Sequence, residues 1–166
     1  AWGKLDSFFA DPTTSDLDFE LRILGKNVSW LRNHSWSSDA RVKLYSDLDD
    51  ESYHNLFRDA YCMLYPFHPS VRRCKRYYTD TMSSSANYAL AYDLRSMLDD
   101  KLQASYNLKD AFVYKLRPAT DFVNVFTEPG PPVVQSNLSS SHDELVILVN
   151  LLYDDTQELL EGLTAP

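Results

Sequence analysis

The chain has 166 residues, with 24 acidic and 16 basic side chains and a net charge of −8 at pH 7. This length fits one domain, 1–166, with a core of ordinary size. An acidic chain is unsuited to general nucleic-acid binding, because neutralising phosphates needs a basic surface. Only four glycines occur, and strand-rich folds use glycine in tight turns, so the composition disfavours an all-β fold.

The first fifty residues predict two or three helices. The N-terminal arm, 1–14, carries apolar residues at helical spacing and ends at Asp11-Pro12, which predicts a short helix. The apolar residues that follow recur at alternating steps of four and three, the seam of a bundle helix: Leu17, Leu21, Leu24, Val28 and Leu31. A shorter helix with a ragged stripe is predicted from Asp39 through Leu48.

The segment from Ser52 to Leu102 predicts a helical hairpin. Its first stripe comprises Tyr53, Leu56, Phe57, Ala60 and Leu64, and Pro66 and Pro69 end that helix. After the polar run Ser83 to Ser85, a second stripe comprises Leu90, Ala91, Leu94, Met97, Leu98 and Leu102. The spacing therefore places two helical arms back to back.

The two cysteines flank the turn of this hairpin. A disulfide between Cys62 and Cys74 would close a short loop and stabilise the fold by roughly 3 kcal/mol. The alternative is two buried thiols, since cysteine packs well as a small hydrophobe. Cys62, His68 and Cys74 also offer three metal ligands, but a structural zinc site normally needs four. We therefore predict a disulfide, and no metal or cofactor.

The last third combines a strand-like segment, a connector and a helix. Residues 111–116 and 122–127 are rich in valine, phenylalanine and tyrosine, and are the best candidate for a small β-hairpin at about 111–127. A Pro/Ser-rich connector, 128–141, follows. Ser141 and Glu144 form a capping box before a long stripe that predicts the last helix: Leu145, Leu148, Val149, Leu152, Leu159, Leu160 and Leu163. Taken together, the patterns predict a mainly α fold, a bundle of four to five helices.

Three sequons suggest passage through the secretory route. They begin at Asn27, Asn33 and Asn137, against about one expected by chance. With the paired cysteines they favour an extracellular, N-glycosylated protein. The chain begins at Ala1 without a leader, as expected after removal of a signal peptide or after trimming. No apolar run is long enough to span a bilayer.

The sequence contains no recognisable catalytic motif. It lacks a glycine-rich phosphate loop, a nucleophile elbow and a His-Glu-x-x-His motif. The acidic run Asp47 to Glu51 lacks the central glycine of a calcium loop and is better explained as a solvated helix start. We therefore expect no catalytic residues and no enzyme.

One basic stretch interrupts this acidic chain, and it is the candidate partner-binding patch: His68, Arg72, Arg73, Lys75, Arg76, Tyr77 and Tyr78. Arginine and tyrosine supply contact energy at many interfaces. Two alternatives remain open, a dibasic processing site and a solvated turn whose charges pair with acidic neighbours.

These observations favour a secreted helical glycoprotein that acts by protein-protein recognition, as a ligand or a host- or receptor-interaction factor. Its partner would be a receptor, an assembly neighbour or a second copy, with no nucleic acid and no membrane span. Two alternatives are a structural subunit of an extracellular assembly and a carrier of a small apolar ligand.

Overall fold

The structure is a computed structural model that describes residues 2–67, 69–72, 74–114 and 145–150. The helices in these ranges are α1 (Trp2–Ala10), α2 (Asp50–Arg58), α3 (Lys75–Thr79), α4 (Ser84–Ala91) and α5 (Asp100–Tyr106). The strands are β1 (Phe19–Leu24), β2 (Val42–Tyr45), β3 (Cys62–Leu64), β4 (Arg95–Asp99), β5 (Phe112–Tyr114) and β6 (Leu145–Asn150). Short 3₁₀ turns lie at Pro12–Thr14, Ser29–Asn33 and Ser35–Ser38.

The described strands form one sheet in the order β2-β1-β6-β3-β4-β5, and every pairing in it is parallel. The central strand β6 pairs with β1 along its whole length, from Phe19 opposite Leu145 to Leu24 opposite Asn150. On its other side β6 pairs with β3, where Cys62 lies opposite Ile147. Parallel neighbours must be joined by crossover connections; α3 and α4 lie between β3 and β4, and α5 lies between β4 and β5. The protein is therefore an α/β fold.

The prediction of a mainly α bundle is wrong. The predicted seam from Leu17 to Leu31 contains β1, the second arm of the predicted hairpin contains β4, and the predicted last helix begins with β6. Strands of a parallel sheet are buried on both faces and read as nearly continuous apolar runs. Strand β6 is such a run, and it satisfies the helical spacing as well as the extended one, so periodicity alone could not separate the two there.

Some of the predicted helices are confirmed by the structure and others are wrong. The predicted N-terminal helix is confirmed as α1. The helix through Tyr53 is confirmed as α2, but it ends at Arg58, and its expected last turn is strand β3. The helix predicted from Asp39 is wrong, because β2 lies there. In the region of the predicted β-hairpin, β5 pairs in parallel with β4; the second arm of that hairpin and the connector 128–141 lie outside the described residues.

Each face of the sheet carries its own apolar cluster. On the first face, α1 and the 3₁₀ turns pack against the sheet. Their buried side chains are Leu5, Phe8, Leu31 and Trp36, and the sheet residues in the same cluster include Leu21, Ile23, Ile147 and Val149. On the second face, α2, α4 and α5 cover the sheet. Their buried side chains are Phe57, Ala86, Ala89 and Leu102, and the strand residues in the same cluster include Leu24, Met63, Leu98 and Leu148. This two-sided cover is what an all-parallel sheet requires.

Asparagine and aspartate occupy left-handed turn positions that glycine often fills. Asp47, Asp93 and Asn107 have φ values of 53°, 54° and 52°, and Asn107 ends α5 in this conformation. Short polar side chains tolerate the left-handed region because they hydrogen-bond locally. These three described turns therefore form without glycine.

No disulfide joins Cys62 and Cys74, and the prediction of one is wrong. Both thiols are buried, but Cys62 lies in the cluster on the first face and Cys74 in the cluster on the second. The sheet therefore separates them, which also argues against a shared metal ion; His68, the expected third ligand, is outside the described residues. Burial raises the pKa of the Cys62 thiol to about 12.

Among the described helices, none combines the length and the apolar character needed to cross a bilayer.

Candidate functional site at the carboxyl edge of the sheet

The carboxyl ends of all six described strands meet at one edge of the sheet, which we call the carboxyl edge. In open parallel sheets, ligands bind outside this edge at the point where the strand order reverses. Here the chain moves from β1 to β2 in one direction and from β3 through β4 to β5 in the other, so the reversal lies between β1 and β3. Strand β6 occupies that position, and its last residue is Asn150.

Helix α4 begins beside the end of β6. The hydroxyl of Ser85 donates a hydrogen bond of 3.1 Å to the backbone carbonyl of Asn150. Ser83 is the N-cap, and its Oγ accepts the N–H of Ala86 at 3.2 Å. The N–H groups of Ser84 and Ser85 lie in the first turn, where a helix offers no backbone acceptor. Because the helix dipole also makes this end positive, it favours an anion.

Of the helices α2, α4 and α5, only α4 begins without an acidic side chain. The N-caps of α2 and α5 are Asp49 and Asp99, and both helices carry further acids in their first turns. Those carboxylates already lie against the positive ends of their helices. The first turn of α4 contains no acid, so its positive end is not neutralised by a carboxylate of its own.

Two buried polar groups at this helix start have no hydrogen-bond partner among the residues that the structure describes. They are Nδ2 of Asn150 and Oγ of Ser84. Asn150 is only 5% exposed, and it is the register partner of Leu24, which clusters with Ala86 of α4. The Asn150 side chain therefore lies on the face of the sheet that α4 covers. Leaving such a group unpaired costs about 1–3 kcal/mol. A hydrogen-bond acceptor at this position would therefore stabilise both Nδ2 of Asn150 and Oγ of Ser84.

Side-chain hydrogen bonds fasten the link between β3 and α4 to α5 and to Asp99, the N-cap of α5. Tyr78 donates its hydroxyl to Oδ2 of Asp99 at 2.6 Å, Ser105 donates to the carbonyl of Tyr78 at 2.9 Å, and the N–H of Ser83 donates to the hydroxyl of Tyr106 at 3.0 Å. Asp99 is fully buried. Burial and this bond to Asp99 raise the pKa of Tyr78 well above its ordinary value, so its phenol stays protonated and remains a donor at neutral pH.

The same link carries exposed positive charge. Arg72, Lys75 and Arg76 are exposed, and the guanidinium of Arg76 lies 5.0 Å from the ring centre of Tyr77. The link leaves the sheet at the end of β3 and returns to the end of β6, so both of its ends lie at the carboxyl edge. In a chain of net charge −8, the described part of this link carries three exposed cations and one exposed acid, Asp80.

The residues of the predicted partner-binding patch differ in exposure. Arg72, Lys75 and Arg76 are exposed, but Tyr77 is buried and stacks on Phe67 with ring centres 4.5 Å apart. Tyr78 is turned toward Asp99. His68 and Arg73 lie outside the described residues.

The sequons are not tested by the fold. Asn27 and Asn33 are exposed, and Oδ1 of Asn27 accepts the hydroxyl of Ser29 at 2.7 Å. Asn137 lies outside the described residues. Glycosylation at these three positions stays a prediction.

Sequence reasoning missed both Ser84 and Asn150. The serine run was interpreted as a break between two helices, although serines before an alanine-rich helix are typical caps. Asn150 is the one polar residue in the apolar run from Leu145 to Tyr153, and a polar residue at the end of a buried parallel strand is a signal for this edge. That signal was hidden because the run was interpreted as a helix.

The geometry thus brings together backbone and side-chain donors, a helix start without acids and a basic link, all at the edge where parallel sheets bind ligands. No group of three or more histidine, cysteine or acidic side chains suited to a metal ion lies in the described part of the chain. Comparison of the chain with protein-family models, with curated proteins and with solved structures gives no match in any of the three.

Proposed function

We propose that the protein binds a phosphorylated small molecule at the carboxyl edge, with a phosphate group at the start of α4. The observation that carries this proposal is the pair of buried, unpartnered groups, Oγ of Ser84 and Nδ2 of Asn150, beside a helix start without acids. A phosphate has enough acceptor oxygens to satisfy both groups and the N–H groups of the first helical turn. Its charge also interacts favourably with the helix dipole.

The burial of the donors supports a small ligand rather than a flat surface. Both unpartnered atoms are shielded from solvent, so a partner must insert a compact group to reach them. A phosphate on a small molecule is such a compact group. Hydrogen bonds to charged groups in such sheltered sites contribute about 1.5–3 kcal/mol each, enough to select an anion over water.

The exposed cations support the same ligand class by a different physical effect. A net charge of −8 repels anions at long range, and a local cluster of positive side chains counteracts that repulsion and raises the rate of encounter. Arg72, Lys75 and Arg76 lie on the link that ends at α4. Their contribution should therefore decrease as salt concentration rises.

The functions expected from the sequence stay predictions. They are protein-protein recognition by a secreted glycoprotein, a structural role in an extracellular assembly, and transport of an apolar ligand. The exposed part of the basic patch is compatible with recognition of an acidic partner, but the disulfide that was expected to hold the patch in shape is absent.

The proposal predicts that two substitutions move stability and affinity in opposite directions. Ser84→Ala and Asn150→Leu each remove a buried polar group without a partner, so each should raise the free energy of unfolding by about 1 kcal/mol. Each also removes a donor to the anion, and should weaken binding of inorganic phosphate about tenfold or more. Urea unfolding and titration calorimetry with inorganic phosphate measure the two quantities on the same samples.

Ser96→Ala is the matched control. The Ser96 hydroxyl is buried and lies 3.0 Å from the hydroxyl of Tyr65, so its loss should lower stability and leave phosphate affinity unchanged. The proposal fails if the unmodified protein does not bind phosphate. It also fails if Ser84→Ala and Asn150→Leu bind phosphate as tightly as the unmodified protein does.

A further inference from the structure

We infer that Tyr106 is a positioning residue of the proposed phosphate site, and that its hydroxyl fixes the direction of the first turn of α4. The inference rests on the proposed function. Tyr106 is the last residue of α5, distant in sequence from both Ser84 and Asn150, and it need not touch the ligand. Its effect is exerted through the backbone of Ser83.

The hydroxyl of Tyr106 contacts both sides of the residue that precedes the N-cap. It accepts the N–H of Ser83 at 3.0 Å and donates to the carbonyl of Thr81 at 3.5 Å, near the limit of a hydrogen bond. Between these two contacts lies Met82, which is 41% exposed. One hydroxyl therefore holds the chain at the point where it turns into α4.

This contact differs from the other bonds that fasten the link to α5. Tyr78 and Ser105 hold the end of α3, through Asp99 and through the carbonyl of Tyr78. Tyr106 alone among these three side chains bonds to the N-cap residue of α4. Ser83 is fully buried and uses its own hydroxyl to cap Ala86, so its N–H depends on Tyr106.

The chemistry of the phenol suits this role. Burial raises the pKa of Tyr106 above its ordinary value, so at neutral pH the hydroxyl is protonated and can accept one bond while donating another. A phosphate oxygen is bound well only when donors lie about 2.7–3.1 Å away and are well aligned. A helix start that is free to tilt would lose that alignment, even though each donor remained present.

The test compares two tyrosines that each lose one buried hydroxyl. Tyr106→Phe should weaken binding of inorganic phosphate about fivefold or more, because the start of α4 is no longer held. Tyr114→Phe is the control: the Tyr114 hydroxyl donates to the carbonyl of Tyr65, the residue after β3, at 2.8 Å. It should lower the melting temperature at least as much as Tyr106→Phe and change phosphate affinity by less than about twofold.

The outcomes separate this inference from the proposed function. If the unmodified protein binds phosphate and Ser84→Ala weakens binding, but Tyr106→Phe binds as the unmodified protein does, the positioning role is overturned and the site remains. Equal losses of affinity in Tyr106→Phe and Tyr114→Phe would likewise reduce Tyr106 to a general structural role. If the unmodified protein does not bind phosphate, both proposals fall.

Discussion

At the scale of single residues, the two thiols show how a parallel sheet can separate two cysteines that are close in the sequence. Cys62 and Cys74 are close in the chain, and a short proline-containing loop between two cysteines favours a disulfide. Cys62 lies in a strand, however, where neighbouring side chains point to opposite faces. It packs on the first face and Cys74 on the second.

This arrangement predicts a chemically inert thiol. Because burial raises the pKa of Cys62 to about 12, almost no thiolate forms at neutral pH, and the thiolate is the reactive species. A Cys74→Ala variant should therefore react with a thiol reagent only when urea unfolds it. Reaction of the folded variant at the rate of the unfolded chain would contradict the buried position.

The absence of a disulfide is checked on the unmodified protein. When it is unfolded without a reducing agent, both cysteines should be alkylated, and prior reduction should not increase the extent of labelling. Alkylation that appears only after reduction would show that the disulfide predicted from the sequence exists.

At the scale of elements, Arg41 joins the segment after α1 to the start of β2. Its guanidinium donates to both carboxylate oxygens of Asp39 at 2.9 and 2.8 Å, and to the carbonyl of Thr14 at 2.6 Å. It also lies 4.9 Å from the ring centre of Phe19. One side chain thus connects a strand, a loop and an aromatic ring of the first face.

The Asp39 carboxylate should make part of the stability depend on pH. The hydrogen bond from Arg41 lowers the pKa of Asp39 below its ordinary value of 3.8. A lowered folded pKa means that the stabilisation is present above the unfolded pKa and is lost as pH falls through the folded one. Asp39→Asn should therefore be less stable than the unmodified protein at about pH 7, and the difference should shrink toward about pH 3.

Urea unfolding at the two pH values measures this difference. Asp18→Asn, which removes an exposed carboxylate from the same part of the chain, serves as the control for a simple change of charge. A stability difference between Asp39→Asn and the unmodified protein that stays constant with pH would rule out the contribution of the Asp39–Arg41 pair.

The elements also show which features the sequence could reveal. Helix α2 was recognisable because its apolar stripe follows a typical acidic start, where Asp49 caps Ser52. Strand β1 also carried a signal, since Phe19, Leu21 and Ile23 alternate with the polar Glu20 and Arg22, the period of a strand. The longer leucine seam that overlaps β1 concealed this alternation. In β6, where nearly every residue is apolar, no periodicity distinguishes strand from helix.

At the scale of the whole molecule, the candidate site depends on topology rather than on a motif. Ser85 and Asn150 are 65 positions apart in the chain and meet only because β6 lies between β1 and β3. The basic link was visible in the sequence as a charged run, but its relation to a helix start was not. The sequence predicted the charges of the link. The fold brings the two unpartnered groups, Oγ of Ser84 and Nδ2 of Asn150, to the same edge of the sheet.

The most direct test of the proposed site is amide-resolved NMR of the unmodified protein during titration with inorganic phosphate. The proposed site predicts that the largest changes occur at the backbone amides of Ser83 to Ala86 and at the side-chain amide of Asn150, and that they saturate together. Saturating changes confined to another part of the chain, or weak changes limited to Arg72, Lys75 and Arg76 that vanish with added salt, would contradict a phosphate site at the start of α4.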